Sequence, residues 1–151
     1  MSHWIFDIQY THQPSTPRVD NLVAGFGETV PESLVYLFQP NERQFVHLKH
    51  TTATPTDWYD MANYHFAFQK ITDNRYSQPF SGSRTDTEQN HSDLFTFQAD
   101  WNKAMTDNSM LVYGFETYID TISSARQRVT EDGVDVPRDS RYPDQSSMRQ
   151  I

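Results

Sequence analysis

Rings recur at every second position in this chain, first as Trp4, Phe6, Ile8 and Tyr10 and again as Phe95, Phe97, Ala99 and Trp101. Successive side chains leave a strand on opposite faces, so this spacing puts all the rings of a segment on one face. A helix would scatter them around its circumference. The chain has 10 Phe, 8 Tyr and 3 Trp, as many rings as it has Leu, Ile and Val together, and aromatic side chains suit a pleated, half-covered surface. Stacked rings are therefore expected to form most of the core, with Phe97 and Phe115 inside it.

At 151 residues the chain has the size of one domain. Its hydrophobic fraction of 36% and mean hydropathy of -0.76 are low, and Lys occurs only at 49, 70 and 103. Solubility must then rest on uncharged polar groups. Without cysteine there is no disulfide framework, no thiolate nucleophile and no Cys-based zinc site. The start, Met1-Ser2-His3-Trp4, lacks a basic region followed by an apolar stretch, and no apolar run approaches the ~20 residues that span a bilayer. Cytoplasmic synthesis is expected.

The formal charge of -8 is concentrated in the body: residues 1–122 are strongly acidic, whereas residues 123–151 carry equal numbers of acids and arginines. A body of that sign repels nucleic-acid phosphate and anionic membrane surfaces. It is compatible with a wall past which DNA slides without sticking.

Along the chain, residues 3–12 form a first strand that stops at Pro14 and Pro17. The segments 33–39 and 44–50 flank Pro40-Asn41-Glu42-Arg43 and predict a hairpin. The segment 54–71 combines a Thr56/Asp57 start signal with helical spacing of Trp58, Met61, Ala62 and His65, which predicts a short helix running into a strand. Residues 72–92 are polar and aperiodic and read as a long loop. Segments 94–101 and 110–121 make a second hairpin, and 124–128 a helical turn. Residues 1–122 are thus expected to be a β-rich domain and 123–151 a C-terminal tail or arm. The expected fold is a single-domain antiparallel β-sandwich or small barrel with one short helix and an extended tail.

No segment has the residue types and spacing of an established catalytic, metal or phosphate site, and no cofactor is expected. His47 and His50, three apart in a strand, fall on opposite faces and cannot easily share an ion; His3 lies within reach of His47 or His65 across the sheet. His50-Thr51-Thr52 has the H-x-[ST] form used in pairs by two-histidine phosphoesterases, but the second copy, His91-Ser92-Asp93, lacks the hydroxyl. Asp100, Glu116 and Asp120 would suit a glycosidase pair. Their alternation with Leu111, Tyr113, Phe115 and Ile119 instead puts them on an acidic face opposite the rings. Glu131-Asp132-Gly133-Val134-Asp135 lacks the ligand spacing of a calcium loop and reads as a turn. Ser81-Gly82-Ser83-Arg84 lacks the Lys and helix of a phosphate loop. Trp58, Tyr59 and Tyr64 offer ring faces of the kind that bind the apolar side of a sugar.

Five tail arginines, Arg126, Arg128, Arg138, Arg141 and Arg149, suit bidentate pairing with carboxylates, which the body of an identical neighbour would supply. The expectation is a non-enzymatic structural subunit of a homo-oligomeric assembly whose arms cross subunit boundaries. Its partners would be identical subunits and other assembly proteins, with no specific nucleic acid and no membrane. The specific form is a bacteriophage virion or tail component: a tube, terminator or connector. The alternatives are a lectin-like or small-ligand-binding sandwich, a His/Asp hydrolase, and an acidic mimic of nucleic acid.

Overall fold

In a computed structural model of the chain, which describes residues 1–143 and 145–150, nine strands join one antiparallel sheet. The mainly-β class, the antiparallel pairing and the single short helix are as expected. The strands are β1 (Ser2–Gln13), β2 (Thr16–Pro17), β3 (Ser33–Phe38), β4 (Asn41–Thr52), β5 (Met61–Pro79), β6 (Thr85–Thr106), β7 (Ser109–Val129), β8 (Asp135–Arg138) and β9 (Ser146–Gln150). The single helix among the described residues is α1 (Val19–Leu22).

The register reduces this inventory to a meander of long strands. β1 and β2 lie end to end, as do β4 and β3 beside them, because Gln13↔Asn41 and Thr16↔Phe38 share one register. Pro14 therefore faces Pro40. Neither has an N–H, so neither can donate to the ladder where the two strand positions break. β4 and β3 continue end to end along β5, through Glu42↔Thr72 and Phe38↔Arg75, with one more residue on their side than on that of β5, which is a bulge. Side chain and backbone repair the break: Asn74 N–H donates to Asn41 Oδ1 at 3.0 Å and Gln39 N–H to the Asn74 carbonyl at 2.9 Å.

The hairpin expected around Pro40 is therefore corrected: β3 and β4 are collinear, and both pair with β5. The short helix expected to start at Thr56/Asp57 is absent, and strand β5, beginning at Met61, takes up Met61, Ala62 and His65. Thr56 accounts for the false start signal, since its hydroxyl caps a turn by accepting from the backbone of Trp58 and Tyr59. The proposed loop 72–92 is almost entirely strand, broken only at 80–84. Residues 123–129 likewise extend β7 rather than forming a helical turn. The hairpin of β6 and β7 is as expected but much longer, with its turn reduced to Asp107-Asn108. In the tail, β8 pairs with the last residues of β7 and β9 with Tyr118–Ile122.

Gly114 is required by packing between strands. A Cβ there would lie 2.4 Å from the Ala99 carbonyl oxygen and 2.9 Å from Asp100 Oδ1, so β6 and β7 approach at that point only because the side chain is missing.

The rings do not form a core. Ala62 and Ala99 are the only buried hydrophobic residues among those described, and Phe115 is 47% exposed. The expectation that Phe97 and Phe115 lie inside is corrected: the face they share carries no second layer of this chain. What is buried is polar: Asn21, Ser33, Glu88, Asn90 and Ser124.

Candidate functional site

Pairing fixes which side chains share each face, because directly opposed residues of antiparallel strands project to the same side. On one face the rows from β1 to β7 run Trp4, His50, Tyr64, Ala99, Phe115; then Phe6, Leu48, Phe66, Phe97, Thr117; then Ile8, Val46, Phe68, Phe95, Ile119. Trp101 and Tyr113 extend this ring face at one end. At the other end the row Tyr10, Gln44, Lys70, Asp93, Thr121 closes it with polar groups.

Within the face the rings touch in cross-strand pairs. Trp4 stacks on His50 at 4.0 Å between centroids, Phe66 meets Phe97 at 4.7 Å, Phe97 meets Phe115 edge-on at 5.3 Å, and Trp101 stacks on Tyr113 at 5.3 Å. Each such pair adds about 0.5–1.5 kcal/mol beyond its area. Yet the outer surface of the layer stays in solvent: Trp4 and Phe6 are each 61% exposed and Ile8 is 67% exposed.

The opposite face is polar. Asp100, Glu116 and Asp120 all project there, as the alternation predicts, and each is held locally: Gln98 donates to Asp100 at 2.8 Å, Tyr118 to Glu116, and Ser92 to Asp120 at 2.9 Å. The same face holds a histidine pair, with His47 Nε2 3.1 Å from His65 Nδ1 and His47 Nδ1 3.4 Å from Asp7 Oδ2. Burial, Lys49 and the neighbouring His47 hold the His65 imidazole below its ordinary pKa. Cross-strand placement assembles this pair, and residue spacing alone does not reveal it. His3 lies opposite Thr51 rather than joining it.

Of the other candidate residues, His50 and His91 cannot act together: they pair with Tyr64 and Thr72, positions eight residues apart along β5 and so about 27 Å apart. Among the described residues no group of three or more His, Asp or Glu is placed to hold a metal ion, and no helix is long and apolar enough to cross a membrane. Of the three candidate sugar-binding rings, Tyr59 and Tyr64 come together through their phenols. Trp58 is 78% exposed, while Tyr64 sits on the ring face and accepts from Trp101 Nε1 at 3.2 Å. Partial burial and Tyr64 push the Tyr59 phenol up. The segment carrying Trp58 and Tyr59 is anchored by Lys103, which donates to the Thr56 carbonyl at 2.6 Å and to Asp60 at 2.9 Å. That ammonium and the Ala104 N–H hold the Asp60 carboxyl below the usual range.

Three of the five tail arginines find carboxylates in their own chain. Arg128 makes two bonds to Asp86, at 2.7 and 2.8 Å, and Arg126 adds a third at 3.1 Å. Hydrogen bonds from these guanidiniums hold the Asp86 carboxyl below its ordinary pKa. Arg141 approaches Glu88 at 3.5 Å. Arg138 lies opposite Arg126 on β8, and Arg149 opposite Ile119 on β9. Asp86, Glu88, Arg126 and Arg141 border a cavity of about 390 Å³ that Tyr36, Arg75 and Arg84 also line. Sequence reading missed Asp86 and Glu88 as partners because it placed both in a loop.

No protein-family model, curated protein or solved structure matches this chain.

Proposed function

We propose that this chain is a non-enzymatic structural subunit of a homo-oligomeric assembly in which a second copy covers the ring face. The observation that supports the reading is the uncovered layer of rings. The chain exposes 10382 Å², whereas a compact monomer of 17.7 kDa is expected to expose about 7,900 Å². The ring face spans five strands and four rows of side chains, roughly 24 by 27 Å, or about 650 Å². Apolar patches of that size are rare on monomers. Two such faces packed together would remove about 1,300 Å² at the least, within the range of stable interfaces.

A second copy is the favoured occupant because the two faces match in width, length and chemistry, so that packing ring against ring leaves no charged side chain facing an apolar one across the central rows. That packing turns Asp100, Glu116 and Asp120 outward. Together with the charge of -8, an acidic outer surface supports the finer form of the proposal: a bacteriophage virion or tail component past which nucleic acid moves without binding.

Light scattering on a sizing column, over a range of protein concentration and salt, tests the reading. A discrete oligomer that persists in high salt is expected, because apolar contacts are not screened. A folded monomer at every concentration would overturn it.

A further inference from the structure

The ring face explains why copies associate, and the edges of the sheet bear on how they are arranged. β1 is an edge strand. One side of it pairs with β4 through all twelve of its residues, and among the described residues no strand pairs with the other. Every residue of β1 is exposed. Natural edges are usually blunted by lysine, proline, a bulge or a covering segment. β1 has none of these: its register is unbroken from Ser2 to Gln13, it contains no Lys, Arg or Pro, and Asp7 is its only acid.

The far side of the sheet is different. There β9 pairs with Tyr118–Ile122 of β7 and β8 with Arg126–Val129, and the longest stretch of β7 without such a partner among the described residues runs from Ser109 to Thr117. Because the strands alternate in direction across the meander, β1 and that stretch run the same way. Joining them around a ring would introduce a parallel pair into an otherwise antiparallel sheet.

Resting on the assembly reading above, we infer that the free edge of β1 pairs antiparallel with the β1 edge of a second copy, across a two-fold axis at Ile8. That register keeps ring-bearing positions together, with Trp4 opposite His12, Phe6 opposite Tyr10 and Ile8 opposite itself. On the polar face it places Asp7 opposite Gln9 and Ile5 opposite Thr11. No like charges meet. Centring the axis one residue earlier would set Asp7 against Asp7, which is unfavourable. About eleven residue pairs would form, satisfying backbone groups that the edge leaves to water. An axis perpendicular to the sheet keeps both ring faces on one side. Two such joined sheets packed ring face to ring face would make a tetramer.

The absence of cysteine makes a crosslinking test clean. Asp7→Cys and Gln9→Cys variants, separately purified, mixed under dissociating conditions, reassembled and oxidised, should give a disulfide-linked dimer in the mixture and little in either variant alone. Positions 7 and 9 lie on the polar face, so ring-to-ring packing does not bring them together. Lys49→Cys, on the same face but one strand inward, should remain unlinked. If the protein assembles but the mixture does not crosslink more than Lys49→Cys, the β1 pairing is wrong while the assembly reading stands. If sizing shows monomers only, both fall.

Discussion

The two ends of this sheet treat polar and apolar side chains in opposite ways. At the end formed by β1, β4 and the facing parts of β5, β6 and β7, rings stack across strands but keep their outer surfaces in solvent. At the other end Glu88, Asn90 and Ser124 are buried; Ser124 donates to Asn90 at 2.6 Å and Asn90 to the Asp73 carbonyl at 3.0 Å, while Arg141 approaches Glu88 at 3.5 Å. At the polar end the C-terminal residues of the same chain return along β7, and Arg126, Arg128 and Arg141 there face Asp86 and Glu88. The ring end lacks any such cover. Burial of apolar area is normally the main favourable contribution to folding, so on the proposed reading a chain that leaves its rings open draws much of its stability from association.

The largest separation between the two ends should come from charge placed among the rings. Phe97→Asp is expected to weaken association by about 3 kcal/mol or more, 100-fold or greater, since aromatic residues at the centre of an interface carry most of its energy. Sedimentation of the variant beside the parent chain would show it, and an unchanged oligomer would mean that the rings are not the interface.

At the polar end the expected loss is of folding rather than assembly. Asp86→Ala leaves Arg126 and Arg128 without their shared carboxylate and should cost about 2 kcal/mol, measured by denaturant unfolding under conditions that hold the oligomeric state fixed. The same carboxylate links stability to acid. Its folded pKa lies below the unfolded value, so its contribution is complete above the unfolded pKa of about 4 and is lost as pH falls through the folded one. Asp86→Asn should therefore flatten the fall in stability across that acid window; an unaltered profile would show that the ion pairs contribute nothing there.

A smaller effect is expected at Gly114, on the polar side of the ring end between Tyr113 and Phe115. Adding a methyl group against the Ala99 carbonyl should cost about 1–2 kcal/mol of fold stability, again read from denaturant midpoints. A Gly114→Ala chain as stable as the parent would show that β6 and β7 can separate locally without penalty.

The same contrast governs what the sequence disclosed. Segments 3–12 and 94–101 were legible as strands because rings alternate with polar residues, and so was the projection of Asp100, Glu116 and Asp120 away from the rings. Residues 85–92, Thr-Asp-Thr-Glu-Gln-Asn-His-Ser, form strand through the same backbone pairing but have no apolar face, and hydrophobic periodicity is blind to such a strand. Pro40 was misread because proline marks both turns and bulges; the long strand opposite, β5, decides in favour of a bulge. The arginines of the tail were expected to meet carboxylates of a neighbouring copy; Arg126, Arg128 and Arg141 meet carboxylates of their own chain instead. Their partners in this chain, Asp86 and Glu88, depended on recognising β6. The interior position assigned to Phe97 and Phe115 followed from the ordinary rule that rings are buried, and a single sheet leaves them on its surface.

The central claim is that the ring face is covered in solution, and hydroxyl-radical footprinting of the assembled protein measures this residue by residue. The account predicts strong protection of Phe6, Phe66, Phe95 and Phe115 relative to the unfolded chain, with Trp58 oxidised freely. Oxidation of those four rings in proportion to their exposure in the single chain would contradict it.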